Sequence, residues 1–158
     1  MNRLEAARVR INEHEQRTPL HCAAITGDYV EMARLLNAGA DLEAVCIHGR
    51  TALHHAGEFN RPCAVRLLLD RGADPYARDR ADGTVLSATA FAGSVESLAV
   101  LLLHGVRPRN EIITLDSDGT PMGLFEYLEF RLALYAEDES MYERWLRLKV
   151  VVVMLRVG

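Results

Sequence analysis

Histidine and cysteine are the residue types in this chain that could bind a metal ion, so their spacing is a first guide to its chemistry. They lie close together at three places: Cys22 beside His21, Cys46 near His48, and His55 beside His54. A zinc site needs three or four converging ligands, typically arranged as two pairs at short spacings. None of the three places is matched by a second pair at the spacing that a zinc site has, and the sequence therefore predicts neither a metal site nor a metal cofactor.

Residues that could catalyse a reaction are scattered along the chain. The sequence has no glycine-rich phosphate loop, no nucleophile elbow and no zinc-protease helix. Asp116 and Asp118 flank a predicted turn, which is a common position for aspartate. Cys63 lies near the start of a predicted helix, and a nucleophilic role would need a base that the sequence does not locate. We therefore predict a protein that is not an enzyme and has no cofactor.

The composition is that of one folded domain. The chain has 158 residues, of which 49% are hydrophobic and 25% charged. Its net charge of −4 gives no broad attraction to nucleic acid or to an anionic membrane. The longest apolar runs, 98–103 and 150–155, are far shorter than the roughly 20 residues that cross a bilayer. An odd, small number of cysteines and a start without a secretory signal predict reduced thiols in the cytoplasm, with the nucleus as an alternative.

An internal repeat is the strongest pattern in the sequence. Thr18-Pro-Leu-His21 returns 33 residues later as Thr51-Ala-Leu-His54, and 33 residues after that as Thr84-Val-Leu-Ser87. Gly39-Ala-Asp41 returns at the same interval as Gly72-Ala-Asp74, and its glycine again as Gly105. Because several features keep one spacing, the chain is predicted to consist of stacked structural units.

Each unit is predicted to contain two helices. The threonine can cap the first helix by accepting a free backbone N–H, and Pro19 suits the first helical position. Gly27, Asn60 and Gly93 share one position and tolerate the left-handed backbone of a tight turn. Apolar residues at helical spacing mark the second helix, which ends at Gly39, Gly72 or Gly105 before a polar loop. A single unit cannot cover its own apolar face, so the units must stack.

These residues carry a family resemblance. Thr18-Pro-Leu-His-Cys-Ala23 fits the Thr-Pro-Leu-His-x-Ala signature fully, Thr51-Ala-Leu-His-His-Ala56 fits it without the proline, and Thr84-Val-Leu-Ser-Ala-Thr89 is a weaker match. The chain thus resembles the ankyrin repeat family. The resemblance implies an all-α solenoid of about four helix-turn-helix units with projecting β-hairpin loops. It also implies that His21 and His54 are structural and bond to loop backbone.

The predicted boundaries follow from the spacing. We expect one domain over 1–158, with a partial N-terminal cap at 1–17, repeats at 18–50, 51–83 and 84–119, and a divergent C-terminal repeat or cap at 120–158. The loop before the last unit is three residues longer and carries the apolar Ile112, Ile113 and Leu115. A longer helix is predicted over 122–136.

The last predicted helix has an apolar stripe at steps of three and four: Met141, Trp145, Leu148, Val152 and Leu155. Further valines lie off this stripe, whereas terminal repeats usually have a polar outer face. Two interpretations stay open. The helix is clamped from two sides within one fold, or it faces a second copy, a partner chain or further repeats.

The resemblance implies a protein-binding surface formed by the hairpin tips and the exposed ends of the short helices. The candidate residues on this surface are His14, Arg17, Ile25, Ile47, His48, Arg50, Glu58, Phe59, Arg80 and Phe91. Within it, Phe59 and Phe91 are the predicted anchors, because aromatic residues flanked by arginine are typical of binding hot spots. The alternative is that they pack on the neighbouring hairpin and only stabilise the stack.

We predict a non-catalytic protein-interaction module of the scaffold, adaptor or inhibitor type, which binds a protein or peptide and neither nucleic acid nor a membrane. The alternative is a targeting or substrate-recognition segment of a larger protein, such as a ubiquitin-ligase adaptor or a microbial effector.

Overall fold

The computed structural model describes residues 15–108, 112–115 and 121–136, together with positions 143, 149, 150 and 153. This part of the chain forms three successive helix pairs, then a two-stranded hairpin and a longer helix. The helix pairs are α1 (Pro19–Thr26) and α2 (Tyr29–Asn37), α3 (Ala52–Glu58) and α4 (Pro62–Asp70), and α5 (Val85–Phe91) and α6 (Val95–Leu103). The hairpin strands are β1 (Ile112–Leu115) and β2 (Pro121–Gly123), and α7 is Leu124–Ala136. The predicted all-α solenoid is confirmed.

The first helix of each pair begins at the repeated threonine, as predicted. Thr18 has an extended backbone, and its hydroxyl accepts a hydrogen bond from the His21 N–H. The backbone N–H of Thr18 in turn donates to Nδ1 of His21, so that the two residues cap the helix reciprocally. Thr84 accepts from the Ser87 N–H in the same way at α5.

The turn inside each pair has the predicted left-handed backbone. The φ angles are +77° at Gly27, +52° at Asn60 and +70° at Gly93. Side chains also join one turn to the next unit. Nε of Arg61 donates to the Ile25 carbonyl, and Oδ1 of Asn60 accepts the Ser97 N–H in the first turn of α6. The turns therefore cap and connect neighbouring units.

The core lies between two helical layers. One layer contains α1, α3 and α5, and the other contains α2, α4 and α6. The repeated leucine of the Thr-x-Leu pattern is buried in each unit, at Leu20, Leu53 and Leu86. Buried alanines, such as Ala24 and Ala56, let adjacent helices approach closely. Burial of each such leucine contributes roughly 2 kcal/mol, which only the stacking of units makes available.

The loops between pairs form tight hairpins. The Cys46 N–H donates to the Arg50 carbonyl, and the Asp79 N–H donates to the Gly83 carbonyl. Neighbouring loops are joined laterally, because the Ile47 N–H donates to the Glu15 carbonyl and the Arg80 N–H to the His48 carbonyl. The predicted projecting hairpins are therefore present at 46–50 and 79–83.

The predicted structural role of His21 and His54, which is to bond to loop backbone, is also confirmed. Nε2 of His21 lies 3.0 Å from the Arg50 carbonyl, and Nε2 of His54 lies 3.4 Å from the Gly83 carbonyl. Since Nδ1 of each ring accepts from its own threonine N–H, Nε2 carries the proton and donates to the carbonyl. Each imidazole thus fastens a first helix to the hairpin that leads into the next pair.

The start of the long helix was predicted wrongly. We predicted 122–136, whereas α7 begins at Leu124. The reason is that Pro121–Gly123 pairs antiparallel with β1, so these residues extend the hairpin instead of the helix. The apolar loop residues 112–115 form the partner strand. Residues 1–14 of the predicted N-terminal cap (1–17) and the apolar stripe of the last helix lie outside the described residues, and the two interpretations of that helix stay predictions.

Candidate functional site

The hairpins stand beside the first-layer helices, and the corner between them is a groove. One part of it, called here the inner groove, has a volume of about 490 Å³. It is lined by the 79–83 hairpin, by Arg50 and Glu58 on one side, and by Ser87 and Phe91 of α5 on the other. Three of the predicted site residues line it, namely Arg50, Glu58 and Phe91, and Phe59 is the residue after Glu58.

Arg50 connects two elements across the groove. Its Nη1 lies 2.8 Å from Oε2 of Glu58 on α3, and its Nε lies 3.2 Å from Oδ2 of Asp79 in the next hairpin. Burial alone would lower the pKa of Arg50, but the two carboxylates raise it. The guanidinium is therefore a fixed positive charge held between two negative ones.

Asp79 is held by the backbone of its own hairpin. Its Oδ1 accepts the N–H groups of Ala81 and Gly83, each at 2.9 Å. Burial alone would raise its pKa, but these N–H groups and the Arg50 guanidinium lower it instead. Asp79 is thus ionised at neutral pH, and it was missed as a site residue. The available signal was its distance of 29 residues from Arg50, the same interval that separates His21 from Arg50 and His54 from Gly83.

His55 lies beneath Glu58 and is fully buried. Neither of its ring nitrogens has a hydrogen-bond partner within the described residues. Its Nδ1 is 3.7 Å from Oε2 of Glu58, and its ring meets that of His21 edge-on at 5.6 Å. The His55 imidazole, together with the Arg50 guanidinium, lowers the pKa of the Glu58 carboxyl. Glu58 is therefore also ionised at neutral pH.

Phe59 and Phe91 are exposed, as predicted, with 44% and 62% of their surface open to solvent. Phe91 also stacks on Tyr127 of α7, with ring centroids 6.2 Å apart and an interplanar angle of 13°. One face of Phe91 thus packs against a helix, whereas the alternative expects packing on the neighbouring hairpin. Ile25 was predicted to be exposed, but it is half-buried. By the 33-residue step it corresponds to Glu58 and Phe91, so Phe59 is displaced by one residue from the predicted apolar line.

The remaining predicted residues lie on the hairpin tips. His48 and Arg80 are exposed, and Ile47 is half-buried. Together with Arg50 and Asp79 they line a second depression of about 530 Å³ between the two hairpins. Arg17 is paired with Glu15 at 2.5 Å, and the Glu15 carbonyl accepts the N–H of Ile47 in the first hairpin. His14 lies outside the described residues.

The cysteines and the histidine–cysteine pairs were the other candidates for chemistry. Across 15–108 and the two later described segments, no cluster of three histidine, cysteine or acidic side chains is placed to hold a metal ion. Cys22, Cys46 and Cys63 are free thiols. The same residues include no helix that is long and apolar enough to cross a membrane.

A family model described as ankyrin repeats (3 copies) matches residues 2–79. The chain belongs to the ankyrin repeat family. The match ends at Asp79, whereas the helix pair α5 and α6 repeats the same architecture beyond it. The ankyrin fold is a non-catalytic interaction fold.

Similar proteins are much larger than this chain. The human SH3 and multiple ankyrin repeat domains protein 2 is 40% identical over 88 residues, which is 55% of this chain and 5% of that protein. The Hydra vulgaris tyrosine-protein kinase HTK16 is 39% identical over 54% of this chain and 12% of its own length. The mouse B-cell lymphoma 3 protein homolog is 34% identical over 65% of this chain and 24% of its own length. The ankyrin chain thus spans less than a quarter of each of these relatives.

Proposed function

We propose that this ankyrin domain is a non-catalytic interaction module that binds a partner protein or peptide in the inner groove and at the hairpin tips. The observation that carries the proposal is the exposed Phe91 ring in the lining of a charged groove, with a second exposed ring, Phe59, directly after the groove residue Glu58. Exposed aromatic side chains next to ordered arginines are the composition of binding hot spots. The surrounding hydrogen bonds hold Arg50 and Asp79 in place, so little ordering is needed on binding.

Site-specific photo-crosslinking tests this proposal. A benzophenone amino acid is placed at position 59 or 91, and in matched control proteins at Val30 or Leu103. The control side chains are 76% and 69% exposed but lie on the second layer of helices. We expect crosslinked partners from the groove positions only. Equal yields from the control positions would contradict groove binding.

The double variant Phe59→Ala, Phe91→Ala provides the complementary loss-of-function test. Its melting temperature should fall by only a few degrees, because both rings are exposed and the Phe91–Tyr127 stack is worth roughly 1 kcal/mol. Crosslinking from a third groove position, Ala81, should be lost. If melting falls by many degrees instead, the two rings belong to the core.

A second proposal is that the domain acts as a targeting or substrate-recognition segment of a larger protein. The small share of each relative that the chain covers supports it. Sequencing the natural transcript past Gly158 tests it, since a continued reading frame with a further domain is expected. The three free thiols support action in the cytoplasm or nucleus, which imaging of the tagged protein checks.

A further inference from the structure

The inner groove exists because the third unit lacks a side chain that the first two have. The residue before the capping threonine is Arg17 in the first unit and Arg50 in the second, but Gly83 in the third. Arg50 fills the space between its hairpin and Glu58 of α3. No side chain does so at Gly83, and the space beside the 79–83 hairpin is left as the inner groove.

The walls of this space carry an excess of negative charge. The charged residues that line it are three carboxylates, Glu58, Asp79 and Asp82, and one guanidinium, Arg50. Arg50 is already paired with Glu58 and Asp79, and Asp82 is paired at the rim with Arg78, at 2.9 Å. Counting Arg78, the lining keeps one uncompensated negative charge, because Arg80 of the same hairpin lines the second depression and not the inner groove. Such a surface repels phosphate and carboxylate groups and attracts a cation.

The opposite wall suits a flat cation. Phe91 and Ser87 both line the groove, and the Phe91 ring is 62% exposed although it also stacks on Tyr127. A guanidinium can stack on an aromatic face and donate to carboxylates in the same plane, whereas an ammonium group makes only point contacts.

We propose that the inner groove binds an arginine side chain of the partner protein, with its guanidinium between the Glu58 and Asp82 carboxylates and the ring of Phe91. The partner's arginine takes the place in the third unit that the domain's own Arg50 takes in the second. This inference rests on the proposed function, because it specifies which partner chemistry the groove selects.

The substitution Gly83→Arg is the sharpest test, because it supplies the missing arginine from within the chain. Gly83 does not have a left-handed backbone. A Cβ there would lie 3.2 Å from Oδ1 of Asp79 and 3.4 Å from Oγ of Ser87, so the Asp79 side chain must shift by a few tenths of an ångström in either variant; both residues line the groove. We expect the added arginine side chain to occupy the groove that these two residues line. Gly83→Ala is the matched control, since it adds the Cβ without the guanidinium.

The assay uses seven-residue peptide libraries whose central residue is fixed as arginine, lysine, citrulline, leucine or glutamate. Peptides retained on the immobilised full chain are quantified for the wild type, Gly83→Arg, Gly83→Ala and Glu58→Gln, with melting curves to confirm folding. We expect the arginine library to be retained about tenfold more than the citrulline library. This preference should disappear in Gly83→Arg, weaken in Glu58→Gln and persist in Gly83→Ala.

The outcomes separate this inference from the proposed function. The arginine site would be overturned if the leucine or glutamate library were retained better than the arginine library, and if that order were the same in Gly83→Arg. This result would leave groove binding intact. A lysine library that equals the arginine library would also overturn it. If no library is retained better by the wild type than by the Phe59→Ala, Phe91→Ala variant, both the inference and the proposed function fail.

Discussion

Gly57 and Thr89 form a complementary pair between neighbouring units, and mutating them together tests the packing. The repeat places alanine at the two equivalent positions of the first unit, Ala23 and Ala24. The position of Ala24 is occupied by Gly57 in the second unit, and the position of Ala23 is occupied by Thr89 in the third unit. A Cβ built at Gly57 would overlap Oγ1 of Thr89 and lie 3.3 Å from its Cβ. The glycine therefore makes room for the threonine of the next unit.

The substitution Gly57→Ala should destabilise the domain even though alanine is the better helix former. Alanine gains about 1 kcal/mol of helix propensity. The overlap cannot be relieved by rotation, because Thr89 is buried, β-branched and donates a 2.6 Å hydrogen bond to the Val85 carbonyl. Overpacking of this kind costs about 3 kcal/mol, the upper part of the usual range, so a net loss of about 2 kcal/mol is expected.

The double variant Gly57→Ala, Thr89→Ala should recover this loss. Thr89→Ala alone removes a hydroxyl that bonds only within its own helix and leaves a small cavity, at a cost of about 1 kcal/mol. In the double variant the new methyl group of residue 57 fills that cavity. Its stability should be within about 1 kcal/mol of the wild type, which gives a coupling energy of roughly 2–3 kcal/mol.

Urea unfolding followed by far-ultraviolet circular dichroism measures all four proteins of this cycle. Gly57→Ala combined with Thr89→Ser is the control, because serine keeps Oγ1 and should leave the alanine destabilising. Additive effects of the two alanine substitutions, or a Gly57→Ala protein as stable as the wild type, would refute the proposed overlap.

Two further predictions concern the contacts that join the units. Burial lowers the pKa of His21 from 6.5 to about 4, so the unfolded chain binds a proton more readily, and stability present above pH 6.5 is lost as the pH falls towards 4. Between pH 7 and 5 the protonation of the unfolded chain at His21 costs about 2 kcal/mol of stability. Urea midpoints should therefore depend less on pH in His21→Asn than in the wild type or in the control His48→Asn, whose histidine is exposed. Equal pH slopes in all three proteins would contradict the prediction. Asn60→Gly keeps the left-handed turn but loses the side-chain oxygen that caps α6. The substitution should cost about 1 kcal/mol of stability and speed amide exchange at Ser97. Unchanged exchange at Ser97 would exclude the capping role.

Much of the fold could be predicted from the sequence, because the determining contacts are local and repeated. The threonine caps, the left-handed turns and the buried leucines each depend on a few neighbouring residues and recur every 33 positions. The start of α7 was missed because it depends on Pro121–Gly123 pairing with β1, and the longer loop hides that register.

The candidate site was only partly predictable. The exposed positions of Phe59, Phe91 and Arg80 follow from their places in the repeat. The double pairing of Arg50, the stack of Phe91 on Tyr127 and the pocket at Gly83 do not, because each joins side chains from different units. Such contacts are set by where the repeats differ from one another, whereas the sequence pattern reports where they agree.

The imidazole bonds also give the stack a direction. His21 and His54 both reach towards the hairpin that follows them, but the third unit has Ser87, whose hydroxyl donates to the Thr84 carbonyl of its own unit. Within the described residues, separation of the β1–β2 hairpin and α7 from the third unit therefore breaks no imidazole bond, although it does break the bond from the Tyr127 hydroxyl to the Phe91 carbonyl. We expect partial unfolding to start at that junction and to proceed towards the N-terminus. A partner bound in the inner groove would then slow this unfolding, because it contacts the second and third units.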